Sequence, residues 1–241
     1  MGNYGGNNGM KPDKRRLEQL KEFQDIIKHR FKEMDIINEA LTHSSYSNES
    51  RDKHTYNNER LEFLGDSVLS TVVSEYIYSK YNNLPEGELT KVRANVVCEP
   101  SLARQAKSIN LGKYLLLGKG EEVTGGRDRI SILADAFEAV IGALYLDGGI
   151  KTARKFVLNM LEDSIKLAST GDLFRDYKTD LQELLQSKFD DKISYKVINE
   201  TGPDHDKTFE VEVILGNKVL GKGRGKSKKE AEQNAAKKAL D

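Results

Sequence analysis

Cysteine is nearly absent. The 241 residues hold one, Cys98, and one thiol can neither staple a fold nor build a metal cluster by itself. Its plain reading is a core thiol, and a reducing, cytoplasmic setting fits. Net charge is absent too, since 38 Lys and Arg balance 38 Asp and Glu. No global basic field announces a nucleic-acid partner, so any such partner must be read from local charge. No apolar run reaches about 18 residues, which argues against a helical membrane span. No signal peptide is visible, and "MGNYGG" has Gly6 where an acylation signal needs Ser or Thr. A Walker loop is missing as well. The near-match ending in Gly225-Lys226-Ser227 has one residue too few after Gly221, which leaves no place for a nucleotide cofactor.

What is present is a globular composition, 37% hydrophobic and 32% charged, on a chain long enough for one large or two modest domains. Residues 1–15 are Gly/Asn-rich and polar and read as a disordered tail. Residues 16–168 read as helical almost throughout. Leu17, Leu20, Phe23, Ile26 and Ile27 mark one helical face, and 84–109 reads as a single helical block. "LGKGEEVTGGRDR" reads as a glycine-rich loop. "ISILADAFEAVIGALYLDGG" reads as a very apolar helix with Gly148 and Gly149 as its stop. Residues 169–176 are small, polar and aperiodic, and read as a linker.

After the linker the period changes. A short amphipathic helix is followed by alternation of Ile193, Tyr195 and Val197, then of Phe209, Val211 and Val213. A third short strand and a closing helix complete the pattern. The fold expected is therefore multidomain: an all-α unit over 16–168, then an α-β-β-β-α unit over 177–241.

Two helices carry misplaced charge. In "NNERLEFLGDSVLS" (57–70), Glu59, Glu62 and Asp66 share a face about 60° wide. Phe63, Leu69 and Val73 flank it, so the acids are expected to point inward or into a cleft. From Ser131 to Leu146 the only charges are Asp135 and Glu138, three residues apart, with small neighbours Ala134, Ala139 and Gly142 that permit close packing. A buried carboxylate needs a basic partner or a metal, and Arg60 is the one basic candidate on the first helix. Three readings stand: a shared metal site, a structural ion-pair network, or a solvated face. All-oxygen ligation suits a hard cation, Mg²⁺ or Mn²⁺, and such ions take phosphate oxygens as further ligands.

The C-terminal unit concentrates positive charge. From Lys218 onward there are eight Lys/Arg against Glu230, Glu232 and Asp241. Ser227 and Glu230 form a capping box. Lys226, Lys228 and Lys229 crowd the positive end of that helix, which a phosphate ligand would favour. His205 sits at the expected tip of the first hairpin.

These stretches resemble a known family. "NNERLEFLGDSVLS" and "GGRDRISILADAFEAVIGALYLDGG" are similar to the two signature blocks of ribonuclease III, with "LPEGELTKVRA" between them. The C-terminal "GPDHDKTF…GKGRGKSKKEAEQNAAKKAL" resembles a double-stranded RNA-binding domain. The resemblance implies a homodimeric, Mg²⁺-dependent endonuclease for double-stranded RNA, leaving 5′-phosphate and 3′-hydroxyl ends with short 3′ overhangs. Precursor ribosomal RNA and structured messenger RNA are its implied targets. It puts the catalytic, metal-binding acids on Glu62, Asp66, Asp135 and Glu138, and auxiliary or dimer-contact acids on Glu59 and Glu86. RNA contacts are implied for Thr179, Gln182, His205, Lys226, Lys228 and Lys229. His43, in "LTHSS", reads as structural. Phe63 and Leu64 are candidates for the dimer interface, since cutting both strands with a fixed stagger needs two centres in fixed relation.

Overall fold

The computed structural model describes residues 12–50, 56–171, 173, 177–186, 191–203 and 207–240. It divides into two compact units after Leu173.

The first unit is helical. Helix α1 spans Lys14–Ile27. Asp13 caps it by accepting from the Arg16 N–H at 2.7 Å, so the helix begins two residues before the boundary drawn at 15/16. Short helices α2 (Met34–Ala40) and α3 (Ser44–Glu49) lead to α4 (Glu59–Lys80). The block expected over 84–109 is two helices, α5 (Glu86–Val97) and α6 (Glu99–Ser108), parted by extended Cys98. Pro100 explains the break. It has no N–H to continue the α5 ladder but sits without cost in a first turn. Cys98 is half-buried rather than a core thiol.

The stretch read as a loop contains a short helix, α7 (Lys119–Val123), and a 3₁₀ turn at Gly126–Asp128. Arg127 cinches this region, its Nη1 donating to the carbonyls of Gly112 and Leu115, each at 2.8 Å. Helix α8 runs Ile130–Ser169 and is broken at Gly149, whose φ of 73° favours glycine. The glycine stop expected there is thus a kink between two helical pieces.

The core of this unit is the packing of α4 on α8. Leu61, Val68, Leu69, Val72, Val73 and Ile77 of α4 are buried, as are Leu133, Ala136, Phe137, Val140, Ile141 and Leu144 of α8. Each large side chain so buried contributes about 1.5–3 kcal/mol. Glycine sets how near the helices come. A Cβ on Gly65 would lie 1.8 Å from the Glu138 carbonyl oxygen, and one on Gly142 would lie 2.3 Å from that of Leu61. Leu173, within the expected linker, also packs into this core.

The second unit holds α9 (Tyr177–Gln186), strands β1 (Ile193–Thr201), β2 (Thr208–Leu215) and β3 (Lys218–Gly225), and α10 (Lys228–Leu240). The sheet is antiparallel in the order β1-β2-β3. Register pairs Tyr195 with Val213 and Val197 with Val211. Buried Val211 and Val213 face a core of Tyr177, Leu181, Leu185, Ala231, Ala235 and Ala236. A Cβ on Gly223 would come within 2.1 Å of the Ala235 nitrogen, so glycine on β3 lets α10 lie against the sheet.

Candidate active site and nucleic-acid interface

The Gly65–Glu138 and Gly142–Leu61 contacts bring the acids of α4 beside those of α8. Glu62 precedes Gly65 by three residues and Asp66 follows it directly, so both stand near the crossing point on which Glu138 sits. Burial is uneven. Glu62, Asp135 and Glu138 are half-buried, whereas Asp66 and Glu59 are exposed. Phe63, expected to help enclose the acidic face, is 78% exposed. The acids therefore line the rim of the α4–α8 interface rather than pointing into a closed core.

Electrostatics tie the group together. Burial raises the Glu62 carboxyl, and Asp135, Glu59 and Asp66 raise it further. Glu138 is pushed up to about 8, first by burial and then by Asp66, Glu62, Asp135 and Glu99. Burial also raises Asp135, with Glu99 adding to it and His43 opposing it. No Lys or Arg is among the charges acting on these three groups. Arg60, the basic candidate, acts instead on Glu39, whose carboxyl burial raises and Arg60 lowers. That counts against the ion-pair reading, and partial burial counts against a fully solvated face.

The fit to a cation follows from the donors. The set is oxygen only and strongly negative, which suits a hard divalent ion. Among the described residues no three His, Cys, Asp or Glu side chains converge closely enough to clasp an ion as they stand. Like carboxylates repel, and drawing them together is unfavourable until a cation neutralises them. The Glu138 carboxyl, pushed up to about 8, is raised first by its burial and then further by that repulsion.

Two neighbours escaped the sequence reading. Glu99 opens α6 and adds its charge to Asp135 and Glu138. It lies on a different helix from either acid pair, so helical spacing gives no signal for it. His43 acts on Asp135 from the loop before α3. Glu86, by contrast, accepts from the Thr90 hydroxyl at 2.9 Å and is not among the charges felt by Glu62, Asp135 or Glu138.

In the second unit Thr179 and Gln182 are exposed, one turn apart on α9. Lys226, Lys228 and Lys229 are exposed at the head of α10. Half of the capping box is formed as expected, Glu230 N–H donating to Ser227 Oγ at 3.2 Å, while Glu230 Oε2 accepts from the N–H of Lys226, one residue before the cap, at 2.7 Å. Lys228 lies 3.6 Å from Glu200 and over the Phe209 ring. His205 lies outside the described residues.

A family model described as "Ribonuclease-III-like" matches residues 33–165, and one described as "Double-stranded RNA binding motif" matches 177–241. The chain belongs to the ribonuclease III family. Curated relatives agree. Ribonuclease 3 of Caldanaerobacter subterraneus subsp. tengcongensis is 54% identical over 92% of this chain and 96% of its own length. Ribonuclease 3 of Desulforamulus reducens is 51% identical over 92% and 91%, and that of Borreliella burgdorferi 49% over 93% and 91%. A solved structure of the nuclease domain of Campylobacter jejuni ribonuclease III is 41% identical, with a TM-score of 0.56, covering 60% of this chain and 97% of that one. This is therefore a ribonuclease III enzyme that carries a double-stranded RNA-binding domain. Both pairs of clustered acids fall inside the nuclease-like match. Among the described residues no helix is long and apolar enough to cross a membrane.

Proposed function

We propose that this ribonuclease III hydrolyses phosphodiesters in double-stranded RNA with Mg²⁺, for which Mn²⁺ substitutes, held by Glu62, Asp66, Asp135 and Glu138. The observation that supports this reading is the mutual repulsion of these acids across the Gly65–Glu138 contact, with no Lys or Arg among the charges acting on Glu62, Asp135 or Glu138. A divalent cation bound there supplies Lewis-acid charge to the phosphate oxygens and activates water. The four carboxylates orient it and exclude other ligands. Glu138, the most strongly shifted, must give up its proton before it can ligate, so cation binding and proton release are coupled. Glu59 and Glu86 are auxiliary or dimer-contact acids in this reading.

The products are 5′-phosphate and 3′-hydroxyl ends with short 3′ overhangs, made by a homodimer whose two centres each cut one strand. Exposed Phe63 and half-buried Leu64 on α4 are the proposed dimer contact, and the C. jejuni nuclease domain is itself described as having a region involved in dimer formation. A two-fold pair matches the pseudo-dyad of the duplex. Residues 16–168 carry the chemistry in this reading, 169–176 connect, and 177–241 supply affinity.

A-form RNA hides its base edges in a deep groove, so recognition goes through 2′-hydroxyls and phosphates. Thr179, Gln182 and the loop with His205 meet successive minor grooves, and Lys226, Lys228 and Lys229 reach phosphates between them. Precursor ribosomal RNA and structured messenger RNA are the proposed cytoplasmic substrates.

The test is cleavage of a long, perfect RNA duplex with Mg²⁺ or with EDTA, against single-stranded RNA and duplex DNA. Magnesium-dependent products bearing 5′-phosphates, from duplex RNA alone, are expected. Tight duplex binding without cutting would leave the acids structural and the chain a binding module.

A further inference from the structure

One face of α9 carries Lys178, Gln182 and Gln186, four residues apart and so one turn above another. On one side of that stripe run Tyr177, Leu181 and Leu185, which are buried in the core of the second unit. On its other side stands exposed Thr179, which the reading above assigns to the duplex. The polar stripe therefore lies between the core and the duplex-facing side of α9, and Gln182 borders both.

A groove of about 550 Å³ opens along this stripe. Its opposite side is formed by Ile193 and Tyr195, alternate residues of β1 that pack toward the helices. Lys192 and Asp191 line it where the chain enters β1. Lys178 is held in place. Its Nζ donates to Glu232 at 2.6 Å and lies 4.6 Å from the centre of the Tyr195 ring.

The charge of the groove decides what suits it. Lys178 is met by Glu232, and Lys192 follows Asp191 in the chain, so the lining is close to neutral. A phosphate finds no surplus of positive charge there. A flat, uncharged ring does better. It meets apolar surface at Ile193 and Tyr195 and the Lys178 ammonium across its face. The amides of Gln182 and Gln186 each offer donors and an acceptor, which suit the mixed donors and acceptors on the edge of a nucleobase. The volume lies within the roughly 300–1,000 Å³ of small-ligand sites. A base inside a perfect A-form helix is stacked and paired, so only an unpaired base is free to splay out into such a groove.

We propose that this groove takes an unpaired nucleobase splayed from an interrupted RNA duplex, held by the amides of Gln182 and Gln186 against Ile193, Tyr195 and Lys178. The proposal rests on the duplex-binding reading above. It gives the second unit a preference, among duplexes, for those that carry a bulge.

The test uses the full-length protein in EDTA, so that binding is read without cleavage. Three RNA duplexes are compared: one perfect, one with a single bulged uridine, and one with an abasic residue at the bulge. The abasic duplex keeps the interruption of the backbone but has no base. The bulged-uridine duplex is expected to bind about tenfold tighter than the abasic one, the scale of one base contact in a protein site. Gln186→Ala is expected to abolish that difference and to leave affinity for the perfect duplex unchanged. Equal affinity of the unmutated protein for the bulged and abasic duplexes overturns the proposal. So does an equal loss for all three duplexes in Gln186→Ala, which is the signature of a general duplex contact.

A readout on the unmutated protein covers the case where Gln186→Ala does not fold. With 5-iodouridine at the bulge, irradiation is expected to cross-link the base to Tyr195, mapped by mass spectrometry. Cross-links confined to residues outside the groove overturn the proposal. If the unmutated protein binds none of the three duplexes, the duplex-binding reading fails with it. If it binds the perfect duplex but does not distinguish base from abasic bulge, only the role of the groove fails.

Discussion

Gly65 on α4 lies directly against the backbone of Glu138 on α8: a β-carbon there would be 1.8 Å from the Glu138 carbonyl oxygen. The residue most shifted in its acidity is thus anchored, through its own main chain, to the helix that carries Glu62 and Asp66.

Gly65→Ala is expected to force the two helices apart. Overpacking a tight core costs about 1–3 kcal/mol, and here the obstacle is main chain, which cannot swing aside. A thermal midpoint lower by several degrees, with loss of duplex cleavage, is the expected result by calorimetry and gel assay. A variant as stable and as active as the parent would show that the close approach does not set the site.

Glu138→Gln is expected to lower cleavage roughly a thousandfold, on the scale of removing an electrostatic stabiliser, while duplex affinity measured in EDTA is unchanged. Equal loss of both would remove Glu138 from the chemistry.

Stability should follow pH through the same residue. The folded Glu138 carboxyl sits at about 8 against an ordinary 4.5. A carboxyl raised by folding gives its full contribution when protonated, below its unfolded pKa, and loses it as pH rises through the folded one. In EDTA the thermal midpoint should therefore fall between about pH 5 and about pH 8, and Glu138→Gln should flatten that fall. Cation binding, which displaces the proton, should tighten over the same window. Identical pH slopes for parent and variant would contradict this assignment.

Lys229→Ala should weaken duplex RNA binding for every sequence alike and reduce the slope of log affinity against log salt by about one. Filter binding over a salt series measures it. An unchanged slope would take Lys229 off the phosphate path.

Phe63→Ala should separate the proposed dimer without unfolding the protomer, since the ring is 78% exposed. Burying a Phe contributes about 1.5–3 kcal/mol and occurs twice in a two-fold pair. Dimer affinity should fall roughly a hundredfold or more, visible by sedimentation. A dimer of undiminished affinity would place the contact elsewhere.

Helical spacing alone assembled Glu62 with Asp66 and Asp135 with Glu138, because charge on an apolar helix face is conspicuous at period 3.6. Alternation found the first two strands, a third short strand was read after them, and the two signature blocks pointed to the family that whole-chain relatives establish. Spacing did not reveal how deep the acids lie. It reports a face but not what covers it, so Phe63 looked enclosed and is open. Nor did it find Glu99, which acts on Asp135 and Glu138 from a separate helix.

The sequence by itself determined what is local: the periods of helices and strands, the cap at Ser227 and Glu230, and which residue types stand at which spacing. Only the tertiary structure decided that α4 and α8 meet at glycines, that no Lys or Arg is among the charges acting on Glu62, Asp135 or Glu138, and that Arg127 ties together the carbonyls of Gly112 and Leu115. Those outcomes depend on distances between segments far apart in the chain, which close packing sets and periodicity does not encode.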